Sequence, residues 1–243
     1  MSSLARSTGC HDLVIAIDGP AAAGKSTVAR LLADRLGALL FDTGALYRAV
    51  ALSALRQGVS PTDASALARL ARDLHIDVTG PSTPDGRLYD VWLNGEDVTW
   101  AVREHEVGAI VSLVAQHPAV RAALLPMQRR IASSGPVVMV GRDIGTVVVP
   151  DAGVKIFLDA SVEERAHRRH IEAMQHGSAI SFIEVLAETR QRDAIDSGRA
   201  TAPLRAAADA IRISTDHVAI ADVVGTIERI ARARQPGYHE APR

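Results

Sequence analysis

The sequence predicts an α/β fold in which a five-stranded parallel sheet is flanked by helices and carries a small antiparallel insert. Short apolar runs alternate with longer segments of helical periodicity, which is the pattern of a parallel sheet covered on both faces. A glycine-rich turn joins the first apolar run to the first helix. In the second quarter of the chain the alternation gives way to turn-rich sequence with a hairpin signal, which indicates the insert.

Five apolar runs are the expected strands of the parallel sheet. They are short and bounded by turn residues, as buried parallel strands are. They cover residues 13–17, 38–41, 137–140, 154–158 and 211–213.

Segments with a helical spacing of apolar residues are the expected helices. They cover residues 25–36, 45–56, 63–74, 104–115, 118–133 and 217–234. Gly37 is expected to end the first helix, and Asp42 and Thr43 to cap the second. Two further helices are expected to open at Ser161 and Ser181, because each serine is followed by a glutamate at the spacing of a capping box.

The antiparallel insert is expected from residue 76 to about residue 97. Residues 75–78 alternate between polar and apolar, residues 80–86 are rich in turn formers, and residues 88–93 are strand-like. Asn94-Gly95 is a strong signal for a tight hairpin turn.

Composition narrows the classes of protein that the chain can represent. Hydrophobic residues make up 47% and charged residues 23%, which favours a packed core over disorder. The formal net charge of −1 argues against a protein that coats nucleic acid. Cys10 has no second cysteine to pair with, which fits a reducing compartment. No apolar run reaches membrane-spanning length, and residues 1–12 lack the apolar centre of a signal peptide. We therefore expect a cytoplasmic protein with no membrane and no nucleic acid among its partners.

The basic residues are almost all arginine, since Lys25 and Lys155 are the two lysines of the chain. One interpretation is a site that grips phosphate oxygens, because a planar guanidinium can bind two oxygens at once. The other is a compositional bias of the genome, since alanine is abundant as well. We assign most of the arginines to that bias and particular ones to a site.

Residues 19–26 match the Walker A pattern at every fixed position, between an expected strand and an expected helix. The glycines let successive backbone amides face a phosphate, and the start of the helix adds its positive dipole end. Lys25 is expected to neutralise the β- and γ-phosphates of ATP, and the Ser26 hydroxyl to bind Mg²⁺. The predicted ATP-binding residues of this loop are Gly19, Pro20, Ala21, Ala22, Ala23, Gly24, Lys25, Ser26 and Thr27.

Ala22 stands where such loops often have glycine. The pattern tolerates alanine there, provided that the backbone does not require a positive φ.

A Walker A loop alone does not select among GTPases, transport ATPases and small-molecule kinases. The chain has neither the Asn-Lys-x-Asp sequence that reads guanine nor the Leu-Ser-Gly-Gly-Gln signature of ABC transporters. Its size suits a compact kinase, and arginine-bearing helices late in the chain suit a lid over the phosphates. A kinase for another acceptor, such as AMP, UMP or shikimate, and a nucleotide-gated regulator or transport ATPase remain as alternatives.

Several stretches resemble the bacterial cytidylate (CMP/dCMP) kinases, a family of nucleoside monophosphate kinases. They extend from about residue 14 to about residue 214 and so cover nearly the whole chain. They are Ile17-Asp18-Gly19-Pro20, residues 42–48 (DTGALYR), 141–148 (GRDIGTVV), 155–161 (KIFLDAS), 163–169 (EERAHRR) and 192–204 with Arg192-Asp193, Asp196-Ser197, Arg199 and Pro203-Leu204.

The resemblance implies a P-loop kinase domain over residues 13–234. Within it, residues of about 75–110 would form the insert that binds the nucleoside monophosphate, and residues of about 162–200 the lid. Residues 1–12 and 235–243 are expected to be a flexible lead-in and a flexible tail. The substrates would be ATP and CMP or dCMP, with Mg²⁺ as cofactor, and we expect a monomer.

The resemblance also implies roles for individual residues. Thr43, Arg48 and Arg142 would hold the α-phosphate of the acceptor, and Ser112, Arg121 and Asp143 would read the cytosine edge. Arg192, Asp196 and Arg199 would contact its ribose and phosphate. Arg165 and Arg168 would lie near ATP, on its adenine or its phosphates. Lys25, Arg142 and Arg192 would be the catalytic residues.

Other interpretations of these residues stay open from sequence alone. Arg165, Arg168 and the neighbouring Arg169 sit on a charged helix and suit its solvated face. Ser112 in an apolar helix suits packing, and Asp196 with Arg199 suits a helix cap and its partner. Val140 stands where relatives often have a carboxylate, which puts an acidic contact to Mg²⁺ at that position in doubt.

Overall fold

The protein is described here from a computed structural model that covers residues 13–175 and 177–234. The expected lead-in 1–12 with Cys10, and the expected tail 235–243, lie outside the described residues.

A five-stranded parallel sheet forms the centre of the fold, as the sequence predicts. Its strands lie in the order β2-β6-β1-β7-β8, so β1 pairs with β6 on one side and β7 on the other. Nearly all residues of β1, β6 and β7 are buried, which explains their continuous apolar character. The strands are β1 (Val14–Asp18), β2 (Leu39–Asp42), β6 (Val137–Gly141), β7 (Val154–Asp159) and β8 (Ile211–Ser214).

Eight α-helices are described, and they agree with the predicted segments to within a few residues at their ends. The largest shift is in the last helix, which begins at Ile220 instead of residue 217. The helices are α1 (Lys25–Leu36), α2 (Gly44–Arg56), α3 (Ala64–Asp73), α4 (His105–Gln116), α5 (Pro118–Ala132), α6 (Val162–Gln175), α7 (Phe182–Gly198) and α8 (Ile220–Arg234). A 3₁₀ turn, Ala101–Arg103, precedes α4, and a π-helical turn, Ile144–Val148, follows β6.

The insert is an antiparallel sheet of three short strands, β3 (Ile76–Thr79), β4 (Asp90–Leu93) and β5 (Glu96–Asp97). Asn94 and Gly95 connect β4 to β5 with φ angles of 51° and 85°, so the predicted hairpin turn is present.

The cap predicted at the start of α2 was wrong in part. Asp42 does accept a hydrogen bond from the backbone of Gly44 at the start of α2 (2.9 Å), but Thr43 does not cap this helix. Its hydroxyl instead donates to the carbonyl oxygen of Val140 on β6 (3.0 Å), because the two strands are neighbours in the sheet.

The capping box at Ser181 is complete, whereas the one at Ser161 is half formed. The Ser161 hydroxyl accepts from the Glu164 amide, but the Ser161 amide donates to the carboxylate of Asp216. The Glu164 carboxylate instead accepts from Arg168, one turn further along α6.

Among the described residues, no single helix is long and apolar enough to cross a membrane. The pair α4 and α5 has the required length and composition only when the two are joined, and it is bent by 97°.

Candidate active site

The loop of residues 19–24 follows β1 at the carboxyl edge of the sheet and leads into α1. Gly19 has a φ of 148°, and a Cβ atom there would lie 2.0 Å from the carbonyl oxygen of Leu158 on β7. Gly24, with a φ of 82°, stands directly before the first residue of α1. Both positions therefore require glycine, which is why these two fixed positions of the pattern predict the loop.

The four carbonyl groups of residues 20–23 all accept hydrogen bonds from side chains. The Lys25 ammonium donates to Pro20 (2.6 Å), and Arg165 Nη1 donates to Ala21 (3.3 Å). Arg168 Nη1 donates to Ala22 (3.5 Å), and the Thr215 hydroxyl donates to Ala23 (3.3 Å). Because the carbonyls face these groups, the amides of the loop are left free for an anion in front of it.

Ala22 adopts a φ of 59°, so the condition under which alanine is unstrained at this position is not met. A non-glycine residue in the left-handed region costs roughly 1–2 kcal/mol.

A cavity of about 470 Å³ opens in front of the loop. Seven basic side chains and four carboxylates contribute to its lining, which suits a polyanionic ligand. The basic side chains are Lys25, Arg48, Arg121, Arg142, Arg169, Arg192 and Arg199, and the acidic ones are Asp42, Asp143, Glu172 and Asp196.

The end of the cavity nearest the loop holds Lys25, Ser26 and Asp42. The Ser26 hydroxyl donates to Oδ2 of Asp42 (3.3 Å), so a hydroxyl and a carboxylate meet beside the loop. Burial, and then the positive charge of Arg142, hold the pKa of Lys25 well below its ordinary value. Phosphate oxygens close to the ammonium would act in the opposite direction and favour its charged form.

An arginine–carboxylate pair lies elsewhere on the cavity wall. Arg121 Nη2 is 2.5 Å from Oδ2 of Asp143, and both side chains are nearly buried. The guanidinium carbon of Arg121 lies 5.3 Å from the ring centre of Tyr47, over the face of a buried aromatic ring. Ser112 on α4 lines the same cavity. The Arg121 guanidinium and the Asp143 carboxylate thus place a hydrogen-bond donor and an acceptor side by side on the cavity wall.

A second ionic cluster joins β6 to the end of α7. Arg142 Nε donates to Oδ2 of Asp196 (2.8 Å), and Arg199 Nη2 donates to the other oxygen of the same carboxylate. Burial raises the pKa of Asp196, but Arg142 and Arg199 outweigh it and hold the pKa below its usual value. The carboxylate is therefore ionised at neutral pH.

Arg192 on α7 is half-buried, and its charge interacts with those of Arg142 and Asp196 in this cluster. Its Nε atom has no hydrogen-bond partner within the described ranges, and neither has Nε of Arg199. Burial, with the charge of Arg142, lowers the pKa of Arg192 to about 10. Desolvated guanidinium N–H groups without a partner, like these two, mark a place that favours an anion.

All nine residues predicted to bind the acceptor line this one cavity: Thr43, Arg48, Ser112, Arg121, Arg142, Asp143, Arg192, Asp196 and Arg199. Of the predicted ATP-binding residues, Ala21, Ala22, Lys25 and Ser26 line it as well. The remaining loop residues Gly19, Pro20, Ala23, Gly24 and Thr27 do not.

Arg165 and Arg168 lie behind the loop, where they contact its carbonyl groups. Arg165 is buried and also bonds both carboxylate oxygens of Asp193 (3.0 and 2.6 Å). This buried position rules out the solvated helix face that sequence alone left open for Arg165.

Sequence reasoning missed several residues of the cavity, among them Asp42, Tyr47, Arg169 and Glu172. Asp42 had a usable signal, because it ends a buried strand at the carboxyl edge of the sheet. Tyr47 and Glu172 had none, since an aromatic residue and a glutamate on helices are most often packing and surface residues.

Comparison with known proteins gives the family. The model of the cytidylate kinase family matches residues 15–233. A cytidylate kinase from Herpetosiphon aurantiacus is 54% identical over 202 residues, which are 83% of this chain and 86% of the relative. One from a Geobacillus species, strain WCH70, is 50% identical over 92% of this chain and 98% of the relative. One from Geobacter sulfurreducens is 46% identical over 93% and 96%. The chain belongs to the cytidylate kinase family.

Proposed function

We propose that this protein transfers the γ-phosphoryl group of ATP to CMP or dCMP, giving ADP and CDP or dCDP. The observation that carries the proposal is that one cavity joins a Walker A loop to the Arg121–Asp143 pair. The family assignment supports the same reaction and leaves the regulator and transport ATPase alternatives without support.

Recognition of cytosine follows from the chemistry of the Arg121–Asp143 pair. The Asp143 carboxylate accepts from the exocyclic amino group of cytosine, and the Arg121 guanidinium donates to its ring nitrogen or carbonyl oxygen. Uracil presents a carbonyl oxygen where cytosine has the amino group, so its lone pairs would face the carboxylate. The Arg121 guanidinium lies over the Tyr47 ring, and this cation–π contact stabilises it there.

Phosphoryl transfer in this cavity needs no general base. The nucleophile is a phosphate oxygen of the acceptor, which is already ionised at neutral pH. Catalysis is then alignment and neutralisation of charge in an in-line transition state. Lys25 and Arg192 supply positive charge to the transferred group, while Thr43, Arg48 and Arg142 hold the phosphate of the acceptor.

The residues beside the loop fit a magnesium ion. Mg²⁺ prefers hard oxygen ligands and is usually held by one or two carboxylates together with substrate phosphates. Ser26 and Asp42 bring a hydroxyl and a carboxylate together there. The register of the sheet pairs Asp42 of β2 with Val140 of β6. The carboxylate of Asp42 therefore lies next to the position where relatives often have a carboxylate and this chain has Val140. When bound, the ion would neutralise charge on the ATP phosphates.

The insert, residues of about 75–110, and the lid, residues of about 162–200, close over the substrates and exclude water, so that ATP is not hydrolysed without an acceptor. The enzyme works as a monomer in the cytoplasm, as one domain over residues 13–234.

A coupled assay of ADP release with ATP and Mg²⁺ tests the proposal. Turnover with CMP and dCMP should far exceed turnover with UMP, AMP and GMP. Turnover that is fastest with AMP or UMP would retain the kinase and refute the cytosine-reading role. ADP release that does not depend on any acceptor would refute the kinase itself.

A further inference from the structure

The carboxylate of Asp18 lies outside the lining of the cavity, at the end of β1. Only 3% of the residue is exposed. Its Oδ1 atom accepts from the backbone amide of Ile144 (2.7 Å) and its Oδ2 atom accepts from that of Gly145 (2.8 Å). Lys25 attracts its charge from a distance, but no basic side chain of the described ranges forms an ion pair with it.

The ionised form of this carboxylate is unfavourable for the fold. Burial raises the pKa of Asp18 to about 6, even though the two amides act to lower it. Because the pKa is raised above that of the unfolded chain, the contribution of Asp18 to stability is present at low pH and is lost as the pH rises through about 6. An uncharged side chain of the same size would fill the space but could not accept from both amides, so the two hydrogen bonds account for the carboxylate.

The two amides that Asp18 binds open the turn that directly follows Arg142 and Asp143. Free amides at the start of a helical turn carry partial positive charge, which makes a carboxylate a suitable anchor. The Asp18 carboxylate therefore fixes the carboxyl end of the short segment that displays both cavity residues.

Close packing also restricts this segment on either side. A Cβ atom on Gly141 would lie 2.6 Å from Cδ1 of Ile144 and 2.8 Å from the hydroxyl of Thr43. A Cβ atom on Gly145 would lie 3.2 Å from Cδ of Lys155. With these contacts and the two hydrogen bonds, Arg142 and Asp143 project from a backbone that has little freedom to move.

The same aspartate is joined to the phosphate loop by a single peptide bond, since Gly19 is the next residue. We propose that Asp18 is a positioning residue, which holds Arg142 and Asp143 at a fixed distance from the phosphate loop. The proposal rests on the proposed function, because it concerns the alignment of the acceptor with the donor.

The test is the substitution Asp18→Asn, which keeps the shape of the side chain and removes its charge. An asparagine has one acceptor oxygen, so it satisfies one of the two amides and turns its own NH₂ group towards the other. We expect the KM for CMP to rise on the order of tenfold and the ratio of kcat/KM for CMP over UMP to fall. The KM for ATP should stay within about twofold, because the loop keeps its own contacts.

The melting temperature at pH 7.5 separates positioning from a general structural role. It should change little in Asp18→Asn, because the removal of a buried charge and the loss of one hydrogen bond to a buried amide act in opposite directions. Asp159→Asn is the matched control, because Asp159 ends the neighbouring strand β7 but is exposed, and its carboxylate accepts, among the described residues, from the Ala160 amide alone. This control should leave all kinetic constants unchanged.

Two results would overturn the proposal. One is an unchanged KM and selectivity for CMP in Asp18→Asn; the other is a parallel rise in both KM values together with a lower melting temperature. If Asp18→Asn does not fold, Asp18→Glu replaces it, since it keeps both oxygens but displaces them by one methylene and should raise the KM for CMP alone. Wild-type protein that fails to phosphorylate CMP would refute the proposed function instead, and the comparison would then be made with the acceptor that the protein does use.

Discussion

The phosphate loop and the acceptor end of the cavity differ in what holds them together. Eight consecutive residues, 19–26, build the loop, and its shape rests on backbone conformation at Gly19 and Gly24. The acceptor end draws its side chains from residues spread between Thr43 and Arg199, and its shape rests on the ion pairs Arg121–Asp143 and Arg142–Asp196–Arg199.

This difference predicts which substitutions the phosphate loop and the acceptor end of the cavity can each tolerate. A loop that is shaped by its backbone tolerates changes of side chain at positions other than Gly19 and Gly24, except where the side chain itself meets the phosphates. The acceptor end, which is built from paired charges, does not tolerate such changes, because removal of one partner leaves the other buried and unpaired.

The largest effect is expected from Lys25→Met, which removes the one loop side chain whose charge is needed. Turnover should fall about a thousandfold, as expected for the loss of a group that stabilises transition-state charge. The fold should survive, since the one hydrogen bond given up is that to the carbonyl oxygen of Pro20. Steady-state kinetics and thermal melting followed by circular dichroism measure the two effects.

Lys155→Met is the control for this substitution, because Lys155 is equally buried and also donates to a proline carbonyl five residues earlier. Its ammonium pairs with Asp209 outside the cavity, so this variant should lose stability and keep its turnover. Equal losses of turnover in the two variants would show that buried lysines matter here for structure alone.

Asp143→Asn should break the acceptor end while it leaves the loop intact. The amide can present an NH₂ group where the carboxylate accepted a hydrogen bond, which suits uracil better than cytosine. The ratio of kcat/KM for CMP over UMP should fall on the order of a hundredfold. Asp193→Asn, which disturbs the pair with Arg165 behind the loop, should leave that ratio unchanged. A ratio that does not change in Asp143→Asn would remove this residue from base recognition.

Asp42→Asn tests the proposed Mg²⁺ site beside the phosphate loop. The asparagine can still accept from the Gly44 amide, as Oδ1 does now, but it is a weaker ligand for Mg²⁺. The concentration of Mg²⁺ that gives half-maximal rate should rise about tenfold. Asp34→Asn on the exposed side of α1 is the control. Identical Mg²⁺ titrations for wild type and Asp42→Asn would exclude this carboxylate from the metal site.

The smallest effect is expected from Ala22→Gly, which relieves the left-handed backbone of the loop. The gain from lower strain is offset by the greater freedom of glycine in the unfolded chain, so the free energy of unfolding should rise by about 1 kcal/mol or less. Ala21→Gly, at a position without a positive φ, should lower it instead. Denaturant unfolding measures both, and a less stable Ala22→Gly protein would contradict the strain.

The sequence predicted the sheet, the helices and the phosphate loop because each depends on residues that are adjacent in the chain. Apolar periodicity predicts a helix or a strand without knowledge of its neighbours in the fold, and the Walker A loop is predicted from its own sequence with a strand before it and a helix after it. The predicted cap at Thr43 was wrong for the opposite reason, since its partner Val140 is distant in the chain and becomes a neighbour only in the sheet.

The residues predicted to bind the acceptor could be named only through resemblance, and all of them line one cavity in the structure. No spacing rule places Ser112 and Asp143 on the wall of one cavity, because this depends on how α4 packs against the rest of the fold. The positive φ of Ala22 could likewise not be predicted from the sequence, because the Walker A pattern does not fix the backbone conformation at this position.

The scarcity of lysine gives the protein an unusual chemical reactivity. Both lysine side chains are buried, so the described part of the surface offers no side-chain amine to acylating or cross-linking reagents. Burial and the positive charge of Arg142 lower the pKa of Lys25, which favours its neutral, nucleophilic amine, and its position in the cavity gives small reagents a route to it. We expect amine-directed acylation to act as an active-site label, which bound ATP would block.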